Sequence, residues 1–122
     1  MTAPFREHGA LARGAFAVAV LVSLAVLFAP PSDVPSSPPG VDKVVHFSLF
    51  AVLAVTGRWA GIGRGVLAGS LVLYGAVSEL LQGTDLVNRD ASIADLVADT
   101  TGVVVGLLLW RLTAARRSRT RR

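Results

Sequence analysis

The sequence predicts an all-α, polytopic membrane protein, a four-transmembrane-helix bundle with both termini cytoplasmic. Three observations predict it. The 122 residues are 52% hydrophobic and only 16% charged, with a mean hydropathy of +0.60, where a soluble domain carries about 25% charged residues. Four apolar segments follow one another with short connections between them. Lysine and arginine alternate between the ends of those segments as a four-span topology requires. A domain this small leaves much of its surface outside the core, and too few polar residues are present to cover it in water. The same figures exclude disorder. The absence of cysteine excludes disulfides, thiolate nucleophiles, iron–sulfur clusters and Cys-type zinc sites.

Residues 1–10 read as a cytoplasmic N-terminal segment. The first predicted span covers 11–29, and its stretch from Gly14 to Ala29 holds no charge. That is long enough, with the apolar residues before it, to cross a hydrocarbon core of about 30 Å. A signal peptide is disfavoured, because cleavage after Ala29 would put Leu27 where a small residue is wanted and Pro30 just beyond the cut. Residues 30–40 hold five of the six prolines, so they form an extended loop rather than a helix. The remaining spans are predicted at 42–60, 63–82 and 92–112. Their charge-free runs are shorter than about 20 residues, so each must take in ionisable groups at one end. Residues 11–112 thus form the transmembrane domain, and 113–122 a basic cytoplasmic tail.

Ten basic residues fall on the predicted inner side: Arg6, Arg13, Arg58, Arg64, Arg111, Arg116, Arg117, Arg119, Arg121 and Arg122. Only Lys43 and Arg89 fall on the outer side. This asymmetry places both termini in the cytoplasm. The net charge of +4 therefore points to a lipid bilayer with anionic lipid at the Arg-rich tail, not to nucleic acid.

Apart from Glu7, the acids fall on the opposite side or in the outer helix ends. Charges there are costly and normally face the interior of a bundle. Asp42, His46 and Phe50 share one face of the second helix by their spacing. Gly75, Ser78, Glu79 and Gln82 share a face of the third, and Ser92, Asp95, Asp99, Gly102 and Gly106 a face of the fourth. From a rise of 1.5 Å per residue, His46, Glu79 and Asp95 lie about 5–6 Å below the outer ends and Asp99 about 10 Å. Gly102 and Gly106 form a small-x-x-x-small pattern that permits close helix approach. His46, Glu79 and Asp95 are the candidate catalytic residues. Asp42, Lys43, Gln82, Arg89, Ser92 and Asp99 are the candidate ligand-binding residues. Lys43 and Arg89 suit a phosphate, and His46 with Glu79 suits general acid–base work.

Asp42-Lys43-Val44-Val45-His46-Phe47 with Phe50 resembles the DK-x-x-HF-x-x-F signature of VanZ-like membrane proteins. Ser78-Glu79-Leu80-Leu81-Gln82 is similar to that family's SE-x-x-Q. Arg89 to Ser92, Asp95, Asp99 and Gly102 are similar to its R-x-x-S-x-x-D-x-x-x-N-x-x-G run. The resemblance covers residues 41–106, with one departure: Asp99 stands where the family has Asn. It implies a multi-pass protein of the bacterial cytoplasmic membrane and a cell-envelope theme. The family's namesake is associated with low-level resistance to teicoplanin. No reaction is implied.

Three function classes remain. The first is a protein that binds or modifies an envelope component, such as a lipid-linked or phosphorylated precursor, at the outer leaflet. The second is a non-catalytic scaffold whose polar cluster is a structural clamp. The third, an ion or proton pathway, is disfavoured because no ionisable residue crosses the inner half of the bundle. His46, Glu79, Asp95 and Asp99 form an N/O set that zinc or manganese accepts. No H-E-x-x-H spacing accompanies them and His8 lies on the other side, so neither a metal nor another cofactor is expected. The family's Asn predicts that Asp99, the deepest acid, tolerates Asn while Glu79→Gln and Asp95→Asn do not.

Overall fold

A computed structural model describes residues 8–28, 40–82 and 93–120, with backbone alone at 42, 82 and 117–120. Four helices and no strands occur among them: α1 (Ala10–Leu27), α2 (Val41–Trp59), α3 (Arg64–Gln82) and α4 (Ile93–Thr120). Three of them, α1, α3 and α4, are long and apolar enough to cross a membrane. α2 matches them in length, but every 18-residue stretch of it holds Asp42, Lys43 and Arg58. Its polar groups are turned inward, as the following contacts show.

The bundle is organised around α2. Phe50, Leu53 and Ala54, spaced to share one face, are fully or almost fully buried. They pack with Leu27 of α1, Leu67 and Leu71 of α3 and Val103 of α4. The Phe50 and Tyr74 rings lie 5.6 Å apart, tilted by 34°, within the range of favourable aromatic pairs. Ser23 of α1 is buried but not orphaned. Its Oγ donates to the Val20 carbonyl at 2.7 Å and lies 2.9 Å from the Tyr74 hydroxyl.

The pairings fix the helix directions. A Cβ on Gly102 would meet the Phe47 carbonyl, and one on Gly106 would meet the Ala51 carbonyl at 2.5 Å. The numbers rise together along both helices, so α2 and α4 run parallel at close range. Gly57 of α2 faces Leu67 of α3, while His46 faces Glu79. Here the numbers run oppositely, so α2 and α3 are antiparallel. His8 N–H donates to the Trp59 carbonyl at 2.8 Å, which ties the start of α1 to the end of α2.

The α2–α3 connection has a physical cause in its sequence. Gly61 adopts φ +102°, a conformation an L side chain rarely takes. Its N–H donates to the Arg58 carbonyl at 3.1 Å and the Ile62 N–H to the Gly57 carbonyl at 3.0 Å. These two bonds are a Schellman cap, which satisfies the last carbonyls of α2 and turns the chain back. The side chain of Arg58 reinforces the turn by donating to the Ile62 carbonyl at 2.9 Å.

Around this core the outside is apolar. α1 buries only Ala12, Ser23 and Leu27. Val18, Leu21, Leu73, Leu80, Val104 and Leu109 are all half or more exposed, or close to it. Water would penalise such a girdle, whereas hydrocarbon matches it. α4 continues as helix to Thr120, beyond the apolar stretch that predicted its end at residue 112. Hydropathy ends there, but Arg and Ala are good helix formers.

The Gly102 contact makes a paired test. Gly102→Ala should destabilise the detergent-solubilised protein by about 1–3 kcal/mol, the range for overpacking. Gly69, also helical, has nothing within 4 Å of an added Cβ. Gly69→Ala should be neutral or stabilising by up to about 1 kcal/mol. Unfolding measured in one detergent compares the two, and equal effects would contradict the α2–α4 packing.

Candidate functional site

The polar cluster lies where the first turns of α2, the last turns of α3 and the first turns of α4 meet. Lys43, His46 and Phe50 stand three and four residues apart, so they line one face of α2. Asp95 and Asp99 stand four apart on α4, on the stripe that continues through Gly102 and Gly106. The close approach at those glycines brings this acidic face against α2. Gly75 makes room on α3, because a Cβ there would lie 3.2 Å from Asp99 Oδ2 and 3.3 Å from its Cβ. Ser78 is fully buried and turns its hydroxyl back to the Gly75 carbonyl at 2.9 Å.

His46, Glu79, Asp95 and Asp99 are all buried, with Asp99 only 1% exposed. The His46 ring is strung between the two aspartates of α4. Its Nδ1 lies 2.7 Å from Asp99 Oδ1, and its Nε2 lies 3.8 Å from Asp95 Oδ2. With Asp99 ionised the carboxylate can only accept, and Nδ1–H is then the donor. Lys43 Nζ lies 2.5 Å from Asp95 Oδ1. Its side chain is 37% exposed, so it forms the rim where the cluster meets the surroundings. Glu79 closes the third side. One ligand atom each from His46, Glu79 and Asp99 fall within 4.8 Å of one another.

The structure brings together Lys43, His46, Glu79, Asp95 and Asp99. The side chains of Asp42 and Gln82, and the whole of Arg89 and Ser92, lie outside the described residues. Lys43 turns inward to Asp95. Tyr74 and Ser23 had no role in the sequence reading; their hydroxyls lie 2.9 Å apart and join α3 to α1. Each is a lone polar group in an apolar run, so neither carried a spacing signal.

The chemistry follows from the contacts. Among the described residues, three carboxylates face one ammonium and one imidazole. If all three were ionised, the local charge would fall two below neutral with a neutral His46 and one below with an imidazolium. Asp99 holds Nδ1 and so fixes the ring, leaving Nε2 to exchange a proton. The trio His46, Glu79 and Asp99 has the spacing of a divalent-cation site as well as of a hydrogen-bonded network. Neither a family model, nor a curated protein, nor a solved structure matches this chain.

The His46–Asp99 contact predicts how position 99 responds to change. Oδ1 makes the described contact, whereas Oδ2 is buried without a hydrogen-bond partner among the described residues. Asn keeps an oxygen to accept from Nδ1–H and should cost about 1 kcal/mol of stability. Ala leaves a buried imidazole without its acceptor and should cost about 3 kcal/mol. Chemical unfolding in detergent measures both, and equal losses would show that the charge of Asp99, not its acceptor, holds His46.

Proposed function

We propose that the chain is a four-span protein of the bacterial cytoplasmic membrane, related in its motifs to the VanZ-like family. Both termini face the cytoplasm. A polar pocket near the extracytoplasmic face binds or modifies a component of the cell envelope. The observation that carries this reading is the burial of His46, Glu79, Asp95 and Asp99 at one end of an apolar bundle. Ionisable groups at membrane depth are costly and are retained chiefly where they act. The ligand best suited to Lys43 at the rim is an anionic head group, a lipid-linked or phosphorylated precursor. His46, held by Asp99, is the group able to give or take a proton, with Glu79 and Asp95 beside it. A connection to glycopeptide susceptibility follows from the family resemblance alone.

A second reading is favoured by one specific observation. Lys43 with Asp95 and His46 with Asp99 satisfy one another within the protein. Such a network can serve only to fix helix register, leaving the protein a non-catalytic scaffold.

The arginines support the topology. Arg58, Arg64 and Arg111 all sit at the end of the bundle opposite the acids. Reporter fusions should report residue 122 and the 58–64 connection inside, and the 30–41 segment outside. An outside signal from residue 122 would invert the proposal and put the polar pocket in the cytoplasm.

Glu79→Gln and His46→Gln separate the two readings. If the pocket acts on a ligand, both variants should insert normally yet leave cells with the envelope-precursor lipids and teicoplanin response of cells lacking the gene. Full activity of both variants would leave the cluster as a clamp. Lipid profiling of precursors with and without the gene identifies the component.

A further inference from the structure

A second site lies at the opposite end of the bundle and plays no part in the pocket. Val104, Leu107, Leu108 and Arg111 stand three, four and seven residues apart, so they form one stripe along α4. They line a cleft of about 410 Å³ together with Arg58 at the end of α2 and Arg64 at the start of α3. The cleft is therefore lined by apolar side chains of α4 and by three arginines from three helices. Arg58 and Arg64 flank the capped turn at 60–63, and the turn holds Arg58 through its bond to the Ile62 carbonyl. One of its N–H groups is occupied by that bond, and the guanidinium is fixed rather than free to wander into water.

The three cations have no carboxylate partner among the described residues. Every ion pair found there lies at the other end of the bundle. Positive charge at a cytoplasmic helix end sets topology wherever it falls. Topology alone does not require that three arginines converge on the mouth of one apolar cleft. The rise from Val104 to Arg111 is about 10 Å, a span that takes the upper part of an acyl chain below a head group.

We propose that this cleft binds one anionic phospholipid of the bilayer. Its phosphate contacts Arg58, Arg64 and Arg111, and an acyl chain lies along Val104, Leu107 and Leu108. Charge complementarity selects the occupant: basic pockets between helices at the cytoplasmic face recognise anionic head groups, and Arg presents the planar donors that match phosphate. The three arginines of the cleft, Arg58, Arg64 and Arg111, all precede the Arg-rich run at 116–122. The site does not depend on the function proposed for the polar pocket.

The test is thermal unfolding of the full chain in detergent, titrated with phosphatidylglycerol or with phosphatidylcholine of the same chains. Phosphatidylglycerol should stabilise at concentrations at least tenfold lower. Arg58→Gln, Arg64→Gln and Arg111→Gln should each weaken that preference by about fivefold, from about 1 kcal/mol per basic side chain. Val104→Trp fills the cleft without changing charge, and should weaken both lipids together. Arg121→Gln with Arg122→Gln, in the tail, should leave the preference intact. The proposal fails if the two lipids stabilise equally, if inorganic phosphate gives the full effect, or if the tail variant removes the preference while the cleft variants keep it. A cleft variant that melts normally in phosphatidylcholine but keeps the full preference also overturns it.

Discussion

The close parallel approach of α2 and α4 is the constraint on which the remaining features depend. Gly102 and Gly106 lie against the Phe47 and Ala51 carbonyls, a distance no larger residue permits. That contact sets the register between the two helices. With Phe47 opposite Gly102, His46 falls opposite Asp99, and Lys43 one turn earlier falls opposite Asp95. A slip of a few residues would place apolar side chains against the carboxylates and leave each acid buried without its partner. The glycine contact and the ionic contacts therefore depend on one another. The first supplies proximity, and the second penalises every register but one.

The arrangement also explains why α2 can be buried while carrying three charged residues. Lys43 spends its charge on Asp95, and its stem lies along the helix surface. Arg58, at the other end, is held by its own turn through Ile62. The charges sit near the helix ends, and the middle, around Phe50, Leu53 and Ala54, stays apolar. α1 and α3 wrap this centre with few buried residues of their own and present Leu, Val and Ala outward. The result is opposite in character to a soluble bundle, with polar contacts inside and apolar surface outside.

The helices and their facing sides were legible because a period of 3.6 residues carries that information. Asp95 and Asp99 share a face wherever α4 goes, and the same holds for His46 and Phe50 on α2. Partner choice was not legible. Periodicity cannot say whether Lys43 or Arg89 approaches Asp95, because that choice depends on the vertical offset between α2 and α4. The offset is set by how far Gly102 sinks against Phe47, a contact between residues 55 positions apart. Apolar composition marks where a helix can meet lipid, not where its hydrogen bonds stop, so α4 runs on as helix through residues 113–120 beyond the predicted span. Tyr74 and Ser23 escaped notice because each is a single polar group in an apolar run, and only the bundle geometry makes them a pair.

Position 99 shows most directly how the two levels combine. In the VanZ-like reading proposed above, Asp99 is the residue that stands in place of Asn, and composition can go no further. The geometry supplies the missing term. Asp99 contacts His46 through one oxygen, and its other oxygen lies close against Gly75 of α3. Asn has the same shape and the same accepting oxygen, so either residue fits between α2 and α3 and holds Nδ1 of the histidine. What differs is the second atom, an amide nitrogen in place of a carboxylate oxygen. The choice at position 99 thus leaves the orientation of the ring unchanged, because the accepting oxygen and the fit against Gly75 are common to both residues.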